Sequence, residues 1–144
     1  MAAVGTSIRS NEEGARQLEE TLRDFGMELL VVPLAGFSIH LDGHLAMVDH
    51  DKALVDAPGL PYWFLERLKE LGIEAIWCHP DEGWAVNLLA VRPGKVLIPA
   101  ECRYSAERLE QRGIEVVPLA YDELQKNGGS IHCSTFDLRR DRPD

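Results

Sequence analysis

The chain has 144 residues, and 15 Lys and Arg against 24 Asp and Glu give it a formal net charge of −9. This length fits one domain, and the acidity argues against nucleic acid or an anionic membrane as a partner. Hydrophobic residues make up 45% and charged residues 27%, a balance typical of globular rather than disordered chains. We therefore predict a single domain over residues 1–144.

The N-terminus and the cysteine content indicate the cellular compartment. Residues 1–9 lack the basic stretch and following apolar stretch of a signal peptide, and no apolar run approaches the roughly 20 residues of a membrane span. The three cysteines, Cys78, Cys102 and Cys133, are too few and odd in number for a disulfide framework. We therefore predict a cytoplasmic protein with at least one free thiol.

A helical pattern followed by a glycine and a short apolar strand occurs three times along the chain. The helices are predicted to end at Gly26, Gly72 and Gly113, because glycine readily adopts the left-handed conformation that ends a helix. In each case Met or Ile and then Glu follow the glycine. The strands that come next are predicted over residues 29–32, 75–78 and 116–119.

Further strands are predicted between these units. They cover residues 39–48, 53–55, 85–91, 96–98 and 130–138. The repeated unit then contains two strands, a helix and a strand, and repetition at this period indicates a radial or solenoidal architecture. The alternative is one ordinary α/β sheet made of three helix–strand units, but the shared Gly-(Met/Ile)-Glu phrase favours true repeats.

A histidine and an aspartate lie two residues apart in the predicted strand 39–48. On a strand, the side chains of His40 and Asp42 point to the same side, which makes them candidates for acid/base chemistry. The alternative is a solvated strand face, or a histidine that a neighbouring carbonyl satisfies. We predict that His44 and His50 are ordinary surface residues.

Near the C-terminus, a Gly-Gly turn leads into the predicted strand that carries Cys133. Glycines in such a turn allow a ligand to approach the backbone closely. A thiolate beside a histidine and a cationic ligand is stabilised, and reactive cysteines arise in this way. The alternative is a buried cysteine that packs as a small hydrophobic residue.

Three ordered phrases together resemble the guanidine-modifying superfamily of glycine amidinotransferases, arginine deiminases and dimethylarginine dimethylaminohydrolases. The phrases are SIRSNEEGARQL at 7–18, HLDG at 40–43 and NGGSIHCSTFDLRRD at 127–141. The resemblance implies an α/β fold, the five-module ββαβ propeller known as a pentein. About three modules fit into this chain, so we expect a partial propeller corresponding to the C-terminal portion of the family's fold.

The resemblance also implies roles for individual residues. It makes Cys133 the nucleophile, His40 the general acid/base and Asp42 a carboxylate of the site, while Arg9 would grip a substrate carboxylate. Asn87 resembles an asparagine that the family places near the substrate, although it could equally be a strand-edge residue. Thiolate attack, imidazole proton transfer and paired hydrogen bonds to a guanidinium suit these residue types. No metal and no cofactor is implied.

The expected function is that of an amidinotransferase or amidinohydrolase, which acts on arginine or a derivative through a covalent amidino-cysteine.

Family members are roughly twice this long, and their upstream half contributes acidic residues in an Arg-Asp and a Glu-Gly-Gly-Asp phrase; nothing similar stands ahead of Arg9. The alternative is therefore a truncated, non-catalytic half-propeller that binds a ligand or only assembles with a partner. Open strand edges predict self-association. A generic α/β domain with an inert cysteine would require all three phrases to match by accident.

Overall fold

The computed structural model describes residues 1–139 of the chain. Its strands are β1 (Ala2–Thr6), β2 (Leu29–Pro33), β3 (Leu45–Met47), β4 (Lys52–Val55), β5 (Glu74–Trp77), β6 (Leu89–Arg92), β7 (Lys95–Pro99) and β8 (Glu115–Leu119). Its α-helices are α1 (Glu12–Arg23), α2 (Tyr62–Glu70), α3 (Arg103–Glu110) and α4 (Asp122–Gln125). Short 3-10 turns cover Leu41–Gly43, Ala57–Gly59 and His132–Ser134. Arg140 and Asp141 of the C-terminal phrase lie outside the described residues.

Each repeat forms a small sheet in which one helix connects two neighbouring parallel strands. In one module β3 pairs antiparallel with β4, which pairs parallel with β5 after the helix α2. The next module repeats this order with β6, β7, α3 and β8. A helix is the usual connection between neighbouring parallel strands. These two modules confirm the predicted ββαβ unit and the α/β fold class.

The first module has the same central parallel pair but a smaller sheet. β1 and β2 pair parallel, with Ala2 opposite Leu29, and α1 connects them. Within residues 1–139, no strand takes the place beside β1 that β3 takes beside β4 and β6 takes beside β7. This repeat, the first in the sequence, is therefore present as a βαβ unit.

The helices end where the glycine pattern predicts. Gly26, Gly72 and Gly113 have φ values of 65°, 74° and 79°, in the left-handed region that suits glycine. At the other end of α1, the Asn11 side chain accepts a hydrogen bond of 2.8 Å from the backbone N–H of Gly14. This cap satisfies one of the amides that the first helical turn leaves without an internal partner.

The modules pack together through two apolar clusters that share strand β4. Ala53 and Val55 pack into one cluster with Phe64 of α2, while Leu54 packs into the other with Ile98 of β7. Alternate residues of a strand point to opposite faces, so β4 contributes to both clusters. Loops that leave its end are consequently anchored to a buried strand.

Three of the predicted strands are wrong over the segments that carry the candidate site residues. Residues 41–43 and 132–134 form 3-10 turns, and residues 85–88 form turns ahead of β6. In the first of them, the N–H groups of Gly43 and His44 donate to the carbonyls of His40 and Leu41 at 3.2 and 2.9 Å. Local hydrogen bonds of this kind satisfy the backbone in place of a ladder. The strand β1 and the helix α4 were not predicted.

No helix within residues 1–139 is long and apolar enough to cross a membrane.

Candidate functional site

The five candidate residues all line one cavity of about 340 Å³. They are Arg9 after β1, His40 and Asp42 in the turn before β3, Asn87 just before β6, and Cys133 in the C-terminal 3-10 turn. Contributions thus come from all three modules and the C-terminal segment. The fold brings together side chains that lie far apart in the sequence, and loops at one end of packed strands are where sites commonly form.

Asn87 bonds directly to the cysteine. Its side-chain Nδ2 donates to Cys133 Sγ at 3.0 Å, and its Oδ1 accepts from the backbone N–H of Cys133 at 3.2 Å. Its backbone carbonyl accepts from the N–H of His132 at 3.1 Å. Asn87 is only 6% exposed. It is therefore a buried residue whose side chain holds Cys133 through two hydrogen bonds, and not a strand-edge residue. Contact of Asn87 with a substrate stays a prediction.

The glycine before the cysteine turn gives Cys133 the space that it occupies. A Cβ atom at Gly129 would lie 3.1 Å from Cys133 Cβ, which is tighter than side chains normally pack, and 3.7 Å from its Sγ, which is an ordinary contact. The turn itself is held by Ser134, whose hydroxyl donates to the carbonyl of Ser130 at 3.0 Å. The glycine at position 129 therefore allows the Cys133 side chain to lie close to the backbone.

Asp42 lies between two histidines. His132 Nδ1 is 3.0 Å from Asp42 Oδ2, and His40 Nδ1 is 3.9 Å from Asp42 Oδ1. Both imidazoles thus lie within ion-pairing distance of the same carboxylate. No role for His132 is predicted from the sequence, although its position next to the cysteine is a usable signal. The 3-10 turn keeps His40 and Asp42 near each other although the strand that was predicted to do so is absent.

The loop that carries Arg9 is tied to the loop that carries His40. Ser7 Oγ donates to the carbonyl of Ile39 at 2.5 Å, and the backbone N–H of Arg9 donates back to Ser7 Oγ at 3.1 Å. The Arg9 side chain itself is exposed at the cavity. It is thus accessible to a solute there.

The three cysteines are free thiols in different surroundings. Cys133 is exposed, so the alternative of a buried, packed cysteine is wrong for it. That description fits Cys102, which is 1% exposed, and burial raises the pKa of its thiol to about 12. Burial likewise raises the pKa of Cys78 to about 11. Both therefore hold their protons near neutral pH.

One histidine prediction is wrong. His44 was expected at the surface, but its side chain is only 18% exposed, because both ring nitrogens have polar partners in the protein. Among residues 1–139, no three His, Cys, Asp or Glu side chains are grouped as a metal site would require.

Comparison with known proteins gives the same family as the three phrases. The family model for arginine deiminase matches residues 70–140. A putative inosamine-phosphate amidinotransferase of Streptomyces griseus is 32% identical over 148 residues, which covers 93% of this chain and 42% of that protein. The chain belongs to the guanidine-modifying superfamily. The predicted family is thus confirmed.

Two solved structures show how much of the superfamily fold this member contains. SxtG, an amidinotransferase from Microseira wollei, superposes with a TM-score of 0.82 at 20% identity over 98% of this chain and 45% of that one. The dimethylarginine dimethylaminohydrolase of Pseudomonas aeruginosa, solved with citrulline, gives 0.72 at 28% identity over 89% of this chain and 48% of that one. The chain spans less than half the length of all three relatives, so it contains part of a propeller.

Proposed function

We propose that this chain performs amidino transfer or hydrolysis on arginine or a related guanidine, with Cys133 as the nucleophile. The observation that carries the proposal is the exposed Cys133 Sγ held by the buried Asn87 at 3.0 Å, in a cavity shared with His40, Asp42 and Arg9. Citrulline in the Pseudomonas relative favours a substrate of amino-acid type. A cytoplasmic location and one domain over residues 1–144, equivalent to the family's C-terminal portion, belong to the same proposal.

The proposed chemistry proceeds in two steps. The Cys133 thiolate attacks the guanidinium carbon, and as the C–S bond forms the C–N bond to the leaving amine breaks, with His40 supplying the proton for that amine. His40 then takes a proton from water or an acceptor amine, whose oxygen or nitrogen bonds to the carbon as the C–S bond breaks. Asp42 holds the guanidinium by charge-assisted hydrogen bonds, and Arg9 pairs with the substrate's carboxylate.

A haloacetamidine tests this proposal, because it presents a cationic amidine and an alkylating carbon to the site. At pH 8 we expect labelling of Cys133 well ahead of Cys78 and Cys102, whose raised pKa values of about 11 and 12 keep them protonated. As the pH rises toward 11, labelling of Cys78 should increase because its thiolate then forms. Mass spectrometry of peptides locates and times each adduct.

The matched variants for this test are two histidines. His40→Ala should slow the labelling of Cys133 at least about tenfold, whereas alanine at the exposed His50 should leave the rate unchanged. Labelling of Cys133 no faster than that of the two buried thiols would contradict an activated nucleophile. Equal rates in the two variants would show that His40 has no influence on the reactivity of Cys133.

A second candidate function is assembly, and the edge of β1 favours it. The Ala2 N–H donates to Glu28 and the Thr6 carbonyl accepts from Leu34, so these residues bond toward the β2 side. Backbone groups alternate along a strand of a parallel pair, so Ala3 and Gly5 direct theirs to the opposite edge. Ala3 is exposed there, where β4 and β7 each have an antiparallel neighbour. Two β1 strands related by a two-fold axis would pair antiparallel across this edge.

We therefore expect the purified chain to form a dimer at high concentration, and Ala3→Pro to shift it toward monomer. Proline at this position removes an N–H on the open edge and leaves the ladder to β2 intact. Sedimentation over a concentration series measures both. A wild-type chain that stays monomeric throughout, or a dimer that Ala3→Pro leaves unchanged, would contradict pairing through β1.

A further inference from the structure

The turn that carries His40 and Asp42 is outside any sheet, so something else must hold it. Leu41 anchors its centre, since this side chain is 9% exposed and belongs to the apolar cluster that includes Phe64 and Val55. An apolar anchor resists withdrawal of the turn but is non-directional. It does not by itself fix the directions of the polar side chains at positions 40 and 42.

His44 supplies directional contacts at both ends of this segment. Its Nδ1 lies 2.8 Å from Asp56 Oδ2, and its Nε2 lies 2.9 Å from Ser38 Oγ. The backbone N–H of Asp56 also donates to the carbonyl of His44 at 2.9 Å. Asp56 directly follows β4, whose last residue, Val55, is fully buried. The imidazole thus connects both ends of residues 38–44 to a buried strand.

The His44 ring occupies the space that a side chain at Gly59 would need. A Cβ atom at Gly59 would lie 1.9 Å from His44 Nδ1 and 2.3 Å from its Cε1, which no side-chain atom can tolerate. The residue is not among the glycines with positive φ, so its backbone does not demand glycine. The absence of a side chain at Gly59 therefore serves to admit the imidazole of His44.

We propose that His44 is a positioning residue for the candidate site. Its ring closes residues 38–44 into a fixed loop, and this loop directs His40 and Asp42 into the cavity beside Cys133. His44 also lines the cavity, but both of its ring nitrogens are engaged by Asp56 and Ser38, so it acts through its neighbours and not by proton transfer. The catalytic consequence rests on the function proposed above, whereas the loop closure does not.

Gly59→Ala and His44→Ala test the proposal as a pair. Gly59→Ala pushes the ring aside, and His44→Ala removes it, so each should lower the haloacetamidine labelling rate of Cys133 about tenfold. Because both act on one contact, the double variant should be no slower than His44→Ala alone. Gly83→Ala is the matched control, since a Cβ there meets nothing within 4 Å. Additive effects in the double variant would overturn the proposal.

Two further readouts separate positioning from a general loss of structure. Neutral iodoacetamide reports only on the thiol, so its rate at Cys133 should change little and the amidine-to-iodoacetamide ratio should fall. Ser38→Ala should lower the same ratio, and Ser38→Thr should restore it because it keeps the hydroxyl that contacts His44 Nε2. Equal losses with both reagents, or no rescue by threonine, would show that His44 is merely structural.

Hydrogen exchange tests the loop closure without any reactivity of Cys133. In Gly59→Ala and His44→Ala, the amides of Gly43 and His44 should exchange faster, while those of β4 should keep their protection. Unchanged exchange at these two amides would overturn the proposal. The wild-type chain could also fail to react with the amidine while the two variants still show faster exchange at Gly43 and His44. This outcome would refute the proposed function but would leave the closure of the loop by His44 supported.

Discussion

Alanine at position 87 is expected to slow the amidine labelling of Cys133 by about 10- to 100-fold, the effect of losing a hydrogen bond to a charged group. Asn87 Nδ2 donates to Cys133 Sγ at 3.0 Å, and this hydrogen bond orients the sulfur toward the cavity that both residues line. The same change removes the acceptor of the Cys133 backbone N–H, so the turn also loses a restraint. Rates at fixed pH, followed by mass spectrometry, measure the effect.

Asn87→Asp sharpens this prediction because it preserves the size of the side chain. The acceptor of the Cys133 N–H remains, but the donor to Sγ becomes a carboxylate oxygen that repels a thiolate. Asn87→Asp should therefore be slower than Asn87→Ala. Alanine at the exposed Asn127 is the control and should react like the wild type. An aspartate variant as fast as the wild type would show that the bond to Sγ has no influence on reactivity.

Phe64→Ala is expected to lower the free energy of unfolding by about 3–5 kcal/mol, as large-to-small changes in packed cores do. Phe64 is 1% exposed and packs in the cluster that contains Leu41 of the site turn and Val55 at the end of β4. Deleting the ring removes apolar burial and leaves a cavity between α2 and β4. Urea denaturation followed by circular dichroism measures the loss.

Trp63 gives the matched control for that change. It precedes Phe64 on α2 and is 46% exposed, and its ring makes an edge-on contact with the Phe64 ring at 5.7 Å between centroids. Trp63→Ala should therefore cost about 0.5–1.5 kcal/mol, the range for an aromatic pair. Equal losses at both positions would show that the cluster does not dominate stability.

Asp42 contacts histidines from two different segments of the candidate site. His132 contacts one carboxylate oxygen of Asp42 at 3.0 Å and His40 lies 3.9 Å from the other. The carboxylate thus connects the loop of the proposed acid/base to the segment of the proposed nucleophile. Loss of Asp42 would affect both loops at once, so its substitution reports on the whole site and not on guanidinium binding alone.

Much of the fold follows from local patterns in the sequence. The three helices end at glycines with positive φ, and the hairpin between β6 and β7 closes at Gly94, whose φ is 75°. The strands after each helix lie within one residue of their predicted positions. These features depend on neighbours close in the chain, and short-range sterics decide them.

The site loops were predicted less well because local patterns there are ambiguous. Residues 39–48 and 130–138 have the mixed apolar and polar composition of strands, yet the parts next to the buried Leu41 and Ile131 form 3-10 turns. Only contacts with distant parts of the chain separate the two outcomes. The phrases around Arg9, His40 and Cys133 still identified which residues meet, since a family resemblance carries tertiary information that periodicity does not.

By itself, the sequence determined the repeated helix–glycine–strand units and the acidic charge, and with the family resemblance it named five of the residues that line the cavity. The tertiary structure alone decided that Asn87 bonds to the thiol and that His132 contacts Asp42. It also decided that the His44 ring lies between Ser38, Asp56 and Gly59, which has no side chain to displace it. The physical reason is distance along the chain. Asn87 and Cys133 are 46 residues apart, and hydrogen bonds over such separations depend on how the modules pack.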